Sequence, residues 1–323
     1  MRARDAALLA AVPLALVIGI GIGSVPISPG DVLHGLVNAS APASAIVRNL
    51  RVPRVLLAFL VGGGLGVSGA ALQALVRNPL AEPYLLGLSG GAGLGAVAAI
   101  ALQFGGAWGV PVASFAGALG AVALVYRLAV AAGRRLDSRV LLLAGVVVGA
   151  FAGAIMSAII VLSEAPTLRN AFLWLLGGFA GASWRALAIF ATYAVLPLVL
   201  IAREARTLDL LALGEEMAEY LGADAERTKR ILYVATSLLT AASVATCGII
   251  GFVGLVVPHA CRLVWSPLHR TLLPVSFLAG GIFLVLADAL ARSIVPPLEL
   301  PVGVVTALVG VPVFAVLLRR TLV

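Results

Sequence analysis

The chain has 323 residues, 62% of them hydrophobic and 11% charged, against about 25% charged in an ordinary soluble domain. Apolar stretches of about 20 residues recur along its whole length, enough to cross a bilayer as helix, so a soluble fold is excluded. The net charge of +8 lies as arginines at the ends of those stretches, a mark of membrane topology and not of nucleic-acid binding.

The short alternating strands of a membrane barrel are absent, so the backbone must satisfy itself within helices. Cys247 and Cys261 sit in apolar sequence without CxxC spacing, which implies neither a disulfide framework nor a metal site.

In chain order, Met1 to Asp5 is a charged start, and 6–24 is long enough to span, so it reads as a retained first helix. A connection at 25–53 follows. Further spans are expected at 54–76, 84–104, 110–132, 140–163, 185–203, 229–250, 252–266, 271–293 and 301–319. The run 84–104 is glycine-rich, and 252–266 is short and holds Pro258. Phe172 to Gly181 is apolar but too short to cross, and is expected as an interfacial or re-entrant helix.

The stretch RNPLAEPYLLGLSGGAG, 77–93, breaks the chain between the second and third spans. Pro79 and Pro83 remove backbone donors and disfavour helix at Asn78 and Glu82, which ends the second helix and turns the chain. Gly87, Gly91 and Gly95 then recur every fourth residue, a spacing that admits a second helix at close range. Gly62, Gly66 and Ala70 repeat the device on the preceding helix.

Ten spans put both termini on one side. That side would carry Arg2, Arg4, Arg77, Arg127, Arg134, Arg135, Arg139, Arg203, Arg206, Arg227, Lys229, Arg230, Arg262, Arg270, Arg319 and Arg320. The other would carry only Arg48, Arg51, Arg54, Arg169, Arg185 and Arg292. The asymmetry places both termini in the cytoplasm.

The longest inner connection contains TLDLLALGEEMAEYLGADAERTKR, 207–230. Leu208, Leu211 and Leu221 alternate with Glu215, Glu216 and Glu219, and Gly214 and Gly222 punctuate the run. It reads as two short amphipathic helices with a turn near Gly214, either a solvated connector or a docking element whose leucines fill a partner's groove.

Ion-driven carriers place ionisable residues in the membrane interior, and candidates here are few: Glu82, Asp288 and His259. Asp288 is either a local partner of Arg292 at i, i+4 or a mechanistic acid. His259 reads as a satisfied buried imidazole. No G-x-x-x-x-G-K-[ST] phosphate loop is present, so ATP, if it drives the chain, must be hydrolysed by a separate subunit. No HExxH, clustered His or Asp, or serine with a neighbouring base supports an enzyme.

Five ordered motifs resemble the FecCD-family permease subunits of ATP-driven importers for cobalamin, siderophores and haem. They are RVPR at 51–54 with SGAALQALVRNPLAEPYLLGLSGGAG at 68–93, LALGEEMAEYLG at 211–222, GIIGFVGLVVPHACRL at 248–263 with HRTLLP at 269–274, LADALARS at 286–293, and ELPVGVVTALVGVPVFAVLL at 299–318. The resemblance implies an all-α polytopic membrane protein of the type II ABC importer permease fold, with ten helices in a single permease domain, 1–323. It also implies a homodimer with the pathway between subunits, two ATPase subunits that carry ATP and Mg, and a substrate-binding protein outside. The chain itself would hold no cofactor, in a bacterial or archaeal inner membrane.

Residue by residue, the resemblance makes 207–228 the coupling segment to the ATPase, with Leu211, Leu213, Gly214, Glu215, Glu216, Glu219, Leu221 and Gly222 in contact. Asn78 and Leu80 match the cytoplasmic constriction, and Asp137 and Ser138, in RRLDSRVLLLAG, match a second gating loop. Arg51, Arg54 and Arg292 lie on the arginine-poor side. They either snorkel at the interface or, as the resemblance implies, form a cationic cup for glutamates of the binding protein. LLLAG at 141–145 and RNAFLWLLGGFAG at 169–181 lean toward cobalamin permeases, whereas iron-chelate members are more numerous. An iron chelate is therefore the first expectation for the cargo and cobalamin the alternative, with an ion-coupled carrier as rival.

Overall fold

A computed structural model describes residues 3–23, 25, 27–38, 43–132 and 137–322, all-helical apart from turns and one isolated bridge, Val295 to Leu298. Arg2, Arg134 and Arg135 of the topology argument lie outside it, as do the side chains beyond residue 316.

Helix α1 is Ala3–Gly21, α2 is Pro29–Val37, and α3, entered through a helical turn at 44–51, is Val52–Leu75. Then come α4 (Leu88–Ala101), α5 (Gly106–Ala132), α6 (Ser138–Val161), α7 (Ala165–Leu175) and α8 (Trp184–Arg203). Two short helices, α9 (Ala205–Ala212) and α10 (Glu215–Tyr220), precede α11 (Ala225–Cys247), α12 (Val253–Val264), α13 (His269–Ala291) and α14 (Val302–Leu322). Each of the ten expected spans is met by one helix; seven are long and apolar enough to cross a membrane by themselves.

The boundaries follow local chemistry. Asp137 caps α6, its carboxylate accepting from the Arg139 N–H at 2.7 Å, and Asp224 caps α11 through the Arg227 N–H at 3.0 Å. Gly248, at φ +72, stops α11 at Cys247. The expected span 84–104 is divided, because Gly87 at φ +75 separates a short turn at Pro83–Leu86 from α4.

Two placements differ from expectation. The short helix sits at Ala165–Leu175 rather than at 172–181. Pro166 in its first turn starts it and Gly177 ends it, signals that outweigh the apolar run. The connection 25–53 contains α2, whose start is Ser28 accepting from the Asp31 N–H at 3.1 Å, with Pro29 as first helical residue.

The core is built around α3, which is buried along nearly its whole length. Small residues set that packing. A Cβ on Gly62 would stand 2.3 Å from the Gly280 carbonyl, and one on Gly66 2.5 Å from that of Ser276, so α3 and α13 touch backbone to backbone. Helices α4 and α5 meet likewise: a Cβ on Gly91 would stand 2.4 Å from the Gly117 carbonyl, and one on Gly95 2.1 Å from that of Ala113. Where both solvents for a side chain are apolar, such close van der Waals packing replaces the hydrophobic effect as the adhesive.

Candidate functional site

Three clusters contain the expected functional residues. In the first, the α3–α4 turn, helix α3 ends and Asn78 Oδ1 accepts from the Leu80 N–H at 2.9 Å, an Asx turn just before Ala81. Asn78 and Leu80 are exposed. Asp137 is exposed at the α6 cap, whereas Ser138 is buried and donates to the Leu75 carbonyl at 3.0 Å. Among the described residues, Ser138 thus ties the second expected gate segment to the last residue of α3, three residues before Asn78.

The same turn is braced on its other side. Glu82 accepts the Phe252 N–H at 2.7 Å, and the Tyr84 hydroxyl donates to the Ile250 carbonyl at 3.0 Å and accepts from the Ile250 N–H at 3.2 Å. These bonds satisfy the irregular backbone of 248–252, where α11 gives way to α12 and Phe252 takes φ +70. Burial raises the Glu82 pKa, and the Phe252 N–H pulls it back. Glu82, a candidate intramembrane acid by sequence, is here a backbone brace; Tyr84 carried no signal in the sequence.

The second cluster is the coupling segment. It folds as the two short helices expected, α9 and α10, with Gly214 at φ +118 between them and Gly222 at φ +85 beyond. Its leucines divide. Leu208 and Leu211 are buried against the permease, while Leu213 and Leu221 are exposed together with Met217 and Tyr220. Leu211 therefore belongs to the permease core and not to an outward apolar side. Met217 and Tyr220, which the leucine pattern passed over, complete the exposed face.

Charge holds the segment in place. Buried Lys229 of α11 pairs with Glu215 at 2.8 Å, and Thr228 donates to Glu204 at 2.8 Å. Asp209 of α9 accepts from the His269 backbone N–H at 2.8 Å and contacts its Nδ1 at 2.6 Å, which ties α9 to the first residue of α13. Glu216 and Glu219 are exposed.

The arginine cluster lies at the opposite end of α13. Asp288, fully buried, is shared by Arg54 at 2.9 Å and Arg292 at 3.0 Å. Arg292 also donates to the carbonyls of Gly19 and Ile22, each at 2.8 Å. Arg51 donates to Ile20 at 2.6 Å, to Gly21 at 2.9 Å and to Val25. Both guanidinium groups thus cover the carbonyl end of α1, where the helix dipole and unpaired acceptors favour a cation.

Burial corrects the picture of an open cup. Arg51 and Arg292 are 7% and 3% exposed, turned inward by the α1 terminus. Only Arg54 reaches the surface, where it pairs with half-exposed Glu299 at 2.9 Å. Asp288 does pair with Arg292 as its spacing allows, and with Arg54 as well, which sequence spacing does not reveal. His259 is buried as expected, but neither ring nitrogen has a hydrogen-bond partner among the described residues.

The profile of the FecCD transport family matches residues 10–320. The cobalamin import system permease protein BtuC of Halobacterium salinarum is 43% identical over 277 residues, covering 86% of this chain and 74% of that one. The vitamin B12 import system permease protein BtuC of Salmonella typhimurium is 42% identical over 311 residues, covering 95% and 92%. The uncharacterized ABC transporter permease protein YvrB of Bacillus subtilis is 40% identical over 320 residues, covering 95% and 90%. Among solved structures, an inward-facing transporter described as metal-chelate type superposes with a TM-score of 0.88 at 30% identity, over 97% of this chain and 98% of that one.

Proposed function

The chain belongs to the FecCD transport family, and from that premise we propose that it is the permease subunit of an importer that carries cobalamin inward across the cytoplasmic membrane by alternating access. It is a multi-pass membrane protein and an ABC importer permease. The observation that carries the choice of cargo is the identity of 42–43% to cobalamin permeases of both a bacterium and an archaeon. It reverses the order of the sequence reading, in which an iron chelate stood first because such members are more numerous, and it agrees with the lean of 141–145 and 169–181 toward cobalamin.

In this reading two copies form the pathway, both termini and the single domain's coupling segment face the cytoplasm, and all ten helices that meet the expected spans cross. Two ATPase subunits bind ATP and Mg and dock on the face of Leu213, Met217, Tyr220 and Leu221. Glu215 and Asp209 pass their motion to α11 and α13 through Lys229 and His269. Asn78, Leu80, Asp137 and Ser138 form the inner gate. A binding protein docks at the other end, where Arg54 and Glu299 meet it directly and Arg51 and Arg292 support them from beneath.

A second reading, a ferric chelate as cargo, draws on the metal-chelate type neighbour. Titration separates the two. The complex is reconstituted in vesicles with its ATPase and binding protein, and uptake of cobalamin, haem and ferric siderophores is compared. Cobalamin uptake that requires ATP inside and the binding protein outside is the expected result. Uptake of ferric chelates alone would install the second reading, and uptake driven by a proton or sodium gradient without ATP would overturn both.

A further inference from the structure

A cavity of about 830 Å³ lies away from all three clusters, between α5, the α7–α8 connection, α8 and the end of α11. Its size is within the roughly 300–1,000 Å³ of sites that hold a small molecule. Trp108, Phe115 and Trp174 form walls, Phe190 and Ala245 the floor, and Tyr193 part of the rim. Three of its polar groups are engaged within the chain. Thr246 Oγ1 donates to the Ala242 carbonyl at 2.7 Å, Ser183 Oγ accepts from the Ala186 N–H at 3.2 Å, and the Gly178 N–H donates to Cys247 at 2.7 Å. Aromatic and aliphatic side chains make up most of the wall, a lining that favours hydrocarbon.

The mouth adds a charge. Arg185, exposed, stacks with its guanidinium carbon 4.6 Å from the Trp108 ring centre. Stacking on an aromatic face leaves the in-plane N–H donors of a guanidinium directed outward, the geometry that binds a phosphate. No carboxylate among the described residues is in ion-pair contact with it. Val112, Leu173 and Tyr193, at or beside the opening, are exposed apolar residues on membrane helices or next to them. Apolar depth, an aromatic collar and one unpaired cation at the lip form the complement of one ligand class.

We infer that this cavity binds the acyl chain of an anionic membrane phospholipid, whose phosphate sits on Arg185. The site is independent of the transported cargo, and it ties α5, α8 and α11 together through a molecule of the bilayer.

The test uses the full chain in phosphatidylcholine vesicles, with Trp184 and Trp265 replaced by Phe so that Trp108 and Trp174 report. Phosphatidylglycerol brominated along its chains is added as quencher and compared with brominated phosphatidylcholine. Quenching should saturate at a few mole per cent of the anionic lipid, and at least fivefold more of the zwitterionic lipid should be needed. Arg185→Gln, an exposed change that leaves the fold intact, should remove that preference. Ala245→Phe, which fills the floor, should remove the saturable phase, and Ala186→Phe at the mouth gives the same readout if the first variant misfolds. Quenching that rises in simple proportion to either lipid and ignores all three variants would overturn the site. So would a saturable phase that disappears only when two copies of the chain, or the chain and its binding protein, are allowed to associate.

Discussion

At its Asp288 end, α13 gathers charges and turns them inward; at its His269 end it meets a segment that turns apolar side chains outward. Around Asp288, three arginines find carboxylates or helix-end carbonyls within the same chain, and only the Arg54–Glu299 pair meets solvent. On α9 and α10 the charges Asp209 and Glu215 are spent on holding the segment, while Leu213, Met217, Tyr220 and Leu221 stay uncovered. The first region satisfies its charges within the chain; the second leaves apolar side chains uncovered. Burial of satisfied charge gives rigidity, and exposure of apolar surface gives a place to be pushed.

Removal of Asp288 tests the first half of that contrast most severely. Asp288→Ala leaves Arg54 and Arg292 buried without their carboxylate, which costs about 3–5 kcal/mol, and should lower the thermal midpoint of the detergent-solubilised chain sharply. Glu299→Gln breaks only a surface pair, at roughly 0–1 kcal/mol. Equal midpoints for the two variants would break the distinction between a buried brace and a surface contact.

Leu211→Ala comes next. As a buried residue it should cost about 2–5 kcal/mol through the lost contacts and the cavity left, read in the same unfolding experiment. Wild-type stability with lost ATPase binding would return Leu211 to the docking face. Ser138→Ala removes the hydrogen bond from α6 to the Leu75 carbonyl and should cost about 1 kcal/mol. Its sharper readout is distance: spin labels at exposed Asn78 and Asp137 should show a broader separation in the variant, and an unchanged distribution would mean that the two gate segments move together for another reason.

Much of this was legible in the sequence because the bilayer enforces it. Apolar runs of span length, glycines at every fourth position and the break at Pro79 and Pro83 each have one physical meaning, and the helices, the α3–α13 contact and the turn follow them. What hydropathy misplaces is short structure. Pro166 in the first turn starts α7 and the Ser28 cap with Pro29 starts α2, both local signals within stretches judged by their apolar content. Side-chain destination was less legible still. Arg51 and Arg292 read as surface cations because nothing in their own neighbourhood names the partner, which is the carbonyl end of α1, some 30 and 270 residues away in sequence. Leu211 and Leu213 differ by two positions and have opposite fates, since a helix ends between them.

Leu213→Ala should have the smallest effect on the permease itself. Its side chain is 67% exposed, so truncation should leave the thermal midpoint within about 0.5 kcal/mol of the parent in free-energy terms. Its effect belongs to the complex. A leucine that becomes buried on association contributes about 1.5–3 kcal/mol, so affinity for the ATPase subunits should fall roughly 10- to 100-fold. ATP hydrolysis should also lose its stimulation by the loaded binding protein. Glu216→Gln, on the exposed polar side of α10, should weaken assembly far less. If both variants bind the ATPase alike while Leu221→Ala and Met217→Ala also do nothing, the exposed face is not the docking surface. The His269 end of α13 would then be held by Asp209 much as its other end is held by Asp288, and the contrast between the two ends would be gone.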